Sequence, residues 1–238
     1  MLYNNRIVIL WNGAEEEPGL RKSVYTKEDV VAAGLTLVRR GGLKALSARR
    51  VAETLGASTA PVYSNFATME QLADAVKRAA VHELLALTRQ HHVEDEFLNM
   101  GVGILKFVWD WPELYAALFL EPAREYDPGV DLMDELTGVM SELGELEPLP
   151  LDERVIVLKK MAIFTHGLAT EICQGCGKTC TLEALVVMLR EVGRAVVEDA
   201  RAGHERPAAD RTLLDGLWAP AEMSRNSRAA NPREETKP

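Results

Sequence analysis

Aromatic side chains are scarce in this chain of 238 residues, at 6%. Its three cysteines all fall between positions 173 and 180. No run of about eighteen apolar residues occurs, so no membrane span is expected. The opening stretch MLYNNRIVILWNG carries a short apolar patch without a small-residue cleavage site, so it does not read as a signal peptide. A cytoplasmic chain is expected, and in it a standing disulfide is not. Signatures of catalysis are missing as well: there is no glycine-rich phosphate loop, no HExxH and no GxSxG. No strand-like alternation and no internal repeat follow residue 95. These absences predict an all-α, non-enzymatic chain without a built-in cofactor.

What is present points the same way. Apolar residues make up 47% and charged residues 26%, a globular composition. The formal net charge is −9, yet residues 26–66 hold six basic side chains against three acidic ones. A basic head on an acidic body turns the head toward phosphate.

That head contains the most informative stretch, residues 47–66, SARRVAETLGASTAPVYSNF. Ser47 is a good N-cap. Val51, Ala52 and Leu55 give a short helix one apolar stripe. Gly56 follows, where a helix must stop and positive φ is often needed. Ser58 is expected to cap a second helix from residue 59 to about residue 64, with Val62 and Phe66 inward. Ala52, Gly56 and Val62 fit a helix-turn-helix: a small residue at the crossing, a glycine at the turn, an aliphatic plug in the second helix. In such a unit the first residues of the second helix lie nearest the base edges in the major groove. Here those are Thr59, Ala60, Pro61, Tyr63 and Ser64. Pro61 is tolerated because a helix's first turn leaves its N–H groups unpaired anyway.

Residues 26 to about 75 resemble the DNA-binding domain of the TetR/AcrR family of transcriptional regulators. The resemblance is carried by TKEDVVAAGLTLVRRGG, LKALSARRVAETLGAS, the VYSNF box and TMEQLADAV. Two positions depart from the family pattern, Pro61 in the recognition helix and Met69 at the start of the fourth helix. The resemblance implies phosphate contacts at Lys44, Ser47 and Tyr63, and Arg49 and Arg50 flank the same surface. It also implies a C-terminal ligand-binding and dimerisation bundle whose last two long helices pair across a two-fold axis. The expected partners are double-stranded DNA, a small-molecule effector and a second copy of the chain. The expected organisation is a flexible extension over residues 1–22, a DNA-binding head over 23–67, a helical bundle over 68–202 and a disordered tail over 203–238. Within the extension Arg21 and Lys22 are weighed as DNA-backbone contacts. Within the tail Leu213, Leu214, Leu217 and Trp218 are weighed as one docking turn.

In the first helix, Thr26 and Asp29 suggest a capping box, and Thr68 with Gln71 suggest another before a long fourth helix. Pro128-Gly129 is expected to break the chain ahead of a helix over about 130–144. Long amphipathic helices are expected over about 152–172 and 182–202. Small residues on the last one, Ala184, Gly193 and Ala195, are expected to face a symmetry mate. Trp109, Trp111, Tyr115, Phe119, Met161, Phe164 and His166 are the candidates to line a ligand pocket, with His166 as its polar anchor. Cys173 and Cys176, at i and i+3, could share a helix face and, with Cys180, hold a soft metal or sense oxidant. Two readings stand beside the ligand-released repressor: a thiol- or metal-responsive regulator using Cys173, Cys176 and Cys180, and a helical ligand-binding protein or enzyme that does not bind DNA.

Overall fold

The computed structural model describes residues 25–121, 126–146, 148–176 and 179–203. The expected extension over 1–22 and the tail, with Arg21, Lys22 and the turn at Leu213–Trp218, lie outside the described residues. Nine α-helices are found among the described residues, and no strand.

The first three helices form the head. In α1 (Lys27–Gly41) the capping box is complete: the Thr26 hydroxyl accepts from Asp29 N–H, and Asp29 accepts from Thr26 N–H at 2.9 Å. Ser47 caps α2 (Ala48–Leu55) by accepting from Arg50 N–H. Gly56 then turns the chain at φ +67°, a left-handed conformation that glycine adopts without a Cβ clash. The second helix of the helix-turn-helix, α3 (Ala60–Asn65), begins one residue later than expected. Its cap residue is Thr59, which makes no side-chain bond, while the Ser58 hydroxyl accepts from Ala60 N–H at 3.4 Å.

The body is built around α5 (Glu96–Asp110), which is buried along almost its whole length. Such a helix needs partners on every side. It has them in α4 (Met69–Thr88), α6 (Pro112–Phe119), α8 (Leu151–Cys173) and α9 (Leu182–Arg201). Two glycines set its distances: Gly101 lies against Leu189 of α9, and Gly103 lies against the backbone of Leu87 and Thr88. No helix among the described residues is long and apolar enough to cross a membrane.

Three local expectations need correction. At the start of α4 the Thr68 hydroxyl does accept from Gln71 N–H, but the Gln71 side chain reaches one residue further, to Ala67 N–H at 3.0 Å. Pro128-Gly129 does not stand ahead of a helix; it opens α7 (Pro128–Glu142), with Asp127 accepting from Gly129 N–H at 2.9 Å. Proline's fixed φ suits the first helical position, where no N–H is needed. Gly193 faces inward, toward Met161 and Leu98, rather than outward, whereas Ala184 and Ala195 are exposed as expected.

Candidate nucleic-acid interface and bundle cavity

The outer surface of the head follows from how α3 divides its side chains. Val62 is 1% exposed and Phe66 4%, plugging the three-helix core, while Tyr63 is 60% exposed. Thr59, Ala60 and Ser64 are exposed beside it, and Pro61 is half-buried. The Asn65 amide locks the far end of α3, donating to Pro61 O at 2.8 Å and to Tyr25 O at 3.2 Å. The Tyr25 hydroxyl in turn donates to Leu55 O at 2.8 Å. The helix is therefore tied at its inner side and free at its outer side.

The basic residues around it differ in availability. Arg49 is held by Glu53 at 2.9 Å, an i,i+4 pair on an exposed face that contributes about 0.3–0.5 kcal/mol. Lys44 and Arg50 are exposed and form no ion pair with described residues, so their charges are less engaged than that of Arg49. Ser47 uses its hydroxyl as an acceptor at the α2 cap and keeps its O–H for an outside partner.

Head and body meet at a compact junction. Arg39 of α1 forms an ion pair with Glu83 of α4 and lies over the Trp111 ring at 4.8 Å. Trp111 meets Phe107 edge-on at a centroid distance of 5.4 Å. Trp111 is thus part of the junction and does not line the cavities described next. Both α4 and α6 pack on α1 on one side and on body helices on the other.

Behind this junction two small adjoining cavities open in the bundle. One, of about 40 Å³, is lined by Tyr115, Phe119, Met133, Thr165 and His166. The other, of about 30 Å³, is lined by Met100, Leu158, Met161 and Leu189. They share Ile104, Leu136, Ala162 and Thr165 as a common wall. Four expected pocket residues, Tyr115, Phe119, Met161 and His166, are therefore brought together, while Trp109 and Phe164 line neither cavity. Each space holds a water or so, far below the roughly 300–1,000 Å³ of a drug-sized site. A guest would have to part the walls, and three of the wall residues are methionines, the most adaptable apolar side chains.

The polar anchor in these walls is a pair. Tyr115 Oη stands 2.9 Å from His166 Nδ1. Burial, and then the Cys173 thiol, push the Tyr115 phenol far above its ordinary value, and burial holds the His166 ring below its own. Both are neutral at neutral pH. Whether the hydroxyl donates to Nδ1 or Nδ1–H donates to the hydroxyl, one N–H or O–H donor is left for a guest.

The histidine has a consequence for stability. Burial lowers the pKa of His166, and burial together with Lys106 at 3.2 Å lowers that of His92, from the ordinary 6.5. Below that value the unfolded chain takes up protons that the folded chain refuses. Stability is therefore expected to fall as pH drops through about 6.5. Urea midpoints at about pH 7.5 and about pH 5.5 check this, and His166→Gln should flatten the difference.

The cysteines are arranged differently from expectation. Cys173, the last residue of α8, donates its S–H to Pro112 O at 3.4 Å. It does not share a face with Cys176, because Gly175 turns the chain off the helix at φ +101°. Cys176 pairs instead with Cys180, Sγ to Sγ at 3.1 Å. No cluster of three metal-ligating side chains exists among the described residues.

One feature has no counterpart in the sequence expectations. A cleft of about 530 Å³ runs between the α4–α5 connection and α9, floored by Phe97, Leu98 and Val197 and edged by Arg190 and Arg194. The i,i+4 spacing of those arginines was the available signal.

No protein-family model matches the chain, and no curated protein matches it in sequence. Solved structures do match it in shape. A TetR-family transcriptional regulator from Streptomyces coelicolor aligns with a TM-score of 0.62 at 18% identity, over 85% of this chain and 96% of that one. A putative transcriptional regulator from Pseudomonas aeruginosa PAO1 aligns at 0.54 and 16% identity, over 74% and 90%. TetR-Q116A from Acinetobacter baumannii AYE, solved in complex with minocycline, aligns at 0.53 and 15% identity, over 76% and 99%. With its helix-turn-helix head and its α5-centred bundle, this chain has the all-α fold of the TetR-family transcriptional regulators.

Proposed function

We propose that the chain is a dimeric, cytoplasmic DNA-binding regulator, a repressor that leaves a palindromic operator when a small apolar molecule enters the bundle. The observation that carries this reading is the division of α3, with Val62 and Phe66 sealed inside and Thr59, Ala60, Tyr63 and Ser64 turned outward. A helix-turn-helix presents its second helix to the major groove in this manner. Tyr63, Ser47, Lys44 and Arg50 then hold the backbone phosphates, which position the head without reading sequence.

Pairing supplies the second head. Ile163 of α8 and Val187 and Met188 of α9 are 46–48% exposed, beside the small exposed Ala184 and Ala195. Two copies joined through these helices would set two recognition helices about 34–36 Å apart, one turn of the duplex. Val187→Glu is expected to yield a monomer in analytical ultracentrifugation and to weaken operator binding with the fold retained.

The proposed division is a head over residues 23–67 and a bundle over 68–202, coupled through α4 and α6. A guest that parts the cavity walls displaces Tyr115 and Phe119. Both sit on the same short helix as the Pro112–Glu113 end that rests on α1 beside Trp111. A tilt of α6 therefore reaches Arg39, and the effector acts by binding one head orientation better than the other. An electrophoretic mobility shift with the duplex upstream of the chain's own gene tests the reading. Binding that weakens steeply with salt supports it; no binding to any promoter-region duplex at low salt overturns it.

A further inference from the structure

The regulator reading makes no use of the cleft between the α4–α5 connection and α9. Its volume is about 530 Å³ and its floor is apolar: Leu98 is 4% exposed and Leu146 1%, with Phe97 and the half-buried Val197 beside them. Arg190 and Arg194 edge it from α9, one helical turn apart. Both are exposed and form no ion pair with described residues. Such a floor suits an apolar partner, and such an edge suits carboxylates.

The chain leaves α9 at the mouth of this cleft. Glu198 and Arg201 line it, and just beyond them Gly203, at φ +67°, donates its N–H to Ala200 O and turns the chain off the helix axis. Residues 204–238 follow, outside the described residues. Leu213, Leu214, Leu217 and Trp218 are all but one of their large apolar side chains, Met223 being the other. Their spacing, i, i+1, i+4 and i+5, is that of one face of a helical turn. Asp210 and Asp215 flank them and match the two arginines in charge, while Arg211 matches Glu94 and Glu198 of the rim. The remaining rim carboxylate, Asp95, is engaged at the α5 cap by Leu98 N–H at 2.8 Å. Reach is sufficient as well. Residues 204–209 extend to about 20 Å, and Arg190 lies about 17 Å back along α9 from Arg201.

We propose that this cleft is the docking site of the chain's own residues 210–218, with the leucines and Trp218 on its floor and the aspartates beside Arg190 and Arg194. A tether this short holds the segment at a local concentration on the order of millimolar. A contact too weak to recruit a separate peptide therefore suffices, and the docked segment straps α9 to the α4–α5 connection.

The test uses the full-length chain and is independent of DNA binding. Limited chymotrypsin digestion, followed by intact mass, reports the rate of cleavage after Trp218, which must wait for the segment to lift. Arg190→Glu with Arg194→Glu, both at exposed positions, is expected to speed that cleavage about tenfold or more. Leu213→Asp, in the segment itself, should do the same without touching the body. Adding Asp210→Lys and Asp215→Lys to the arginine pair should restore the slow rate. Acrylamide quenching of Trp218 emission, isolated by difference from Trp218→Phe, should follow the same order, and circular dichroism confirms that each variant is folded. Cleavage and quenching that are equal in the wild type and both opened variants overturn the proposal. Protection that is lost on dilution to the monomer also overturns it, because the segment would then sit on a second copy.

Discussion

Replacing Gly103 with alanine is expected to destabilise the protein by about 3 kcal/mol or more. The new Cβ would stand 2.6 Å from Leu87 O, 2.7 Å from Leu87 C and 2.7 Å from Thr88 Cα. All three are backbone atoms, so no side chain can swing aside. The backbone there is also held from the other side. Asn99 Oδ1 accepts from His92 N–H at 2.7 Å and Val93 N–H at 2.8 Å, and its Nδ2 donates to Val93 O at 3.0 Å. With the α4–α5 connection fixed in this way, α5 must shift, and its shift disturbs a core that includes the fully buried Leu105 and Phe107. Thermal unfolding followed by circular dichroism should show a midpoint lower by roughly 6–12 °C. Gly138→Ala is the internal control. That site, exposed within α7, has nothing within 4 Å of a Cβ, so the same change should stabilise by about 0.5–1 kcal/mol. Equal effects at the two positions would refute the close-approach argument.

The second large effect concerns the proposed DNA surface. Ala60→Glu should leave the fold intact, because Ala60 is exposed at the start of α3 and its side chain plugs no core. On a duplex the new carboxylate would enter the major groove, where the negative potential of the flanking phosphates opposes it. Bringing like charges together at an interface costs several kcal/mol, so operator affinity should fall at least about a hundredfold. The measurement is a mobility-shift titration beside a urea melt of the same preparation. Unchanged affinity would remove α3 from the interface and leave the fold without its proposed use.

Much of the head was legible because its signals are local. The Thr26–Asp29 box, the Ser47 cap and the left-handed Gly56 each depend on residues within one turn, and each is found. The inward pair Val62 and Phe66 follows from i,i+4 spacing alone. Misreadings arose where a neighbour distant in sequence decides. Trp111 reads as a pocket wall by its residue type, but the approach of α1 makes Arg39 its partner instead. Gly193 has the size for a dimer contact, yet Met161 and Leu98 claim it. Cys176 was paired with Cys173 by helical spacing, and one positive φ at Gly175 moved it to Cys180. The cleft edged by Arg190 and Arg194 needed the α4–α5 connection to lie across α9, which no local pattern announces.

The closed state of the bundle cavities, at about 40 and 30 Å³, has a consequence for any effector. Opening them is work that the guest must supply, so its measured affinity is the intrinsic one reduced by the fraction of molecules already open. In the proposed function operator DNA favours the unopened arrangement, and it would then lower that fraction further. Linkage then makes the penalty mutual: the factor by which the guest loosens the duplex is the factor by which the duplex repels the guest.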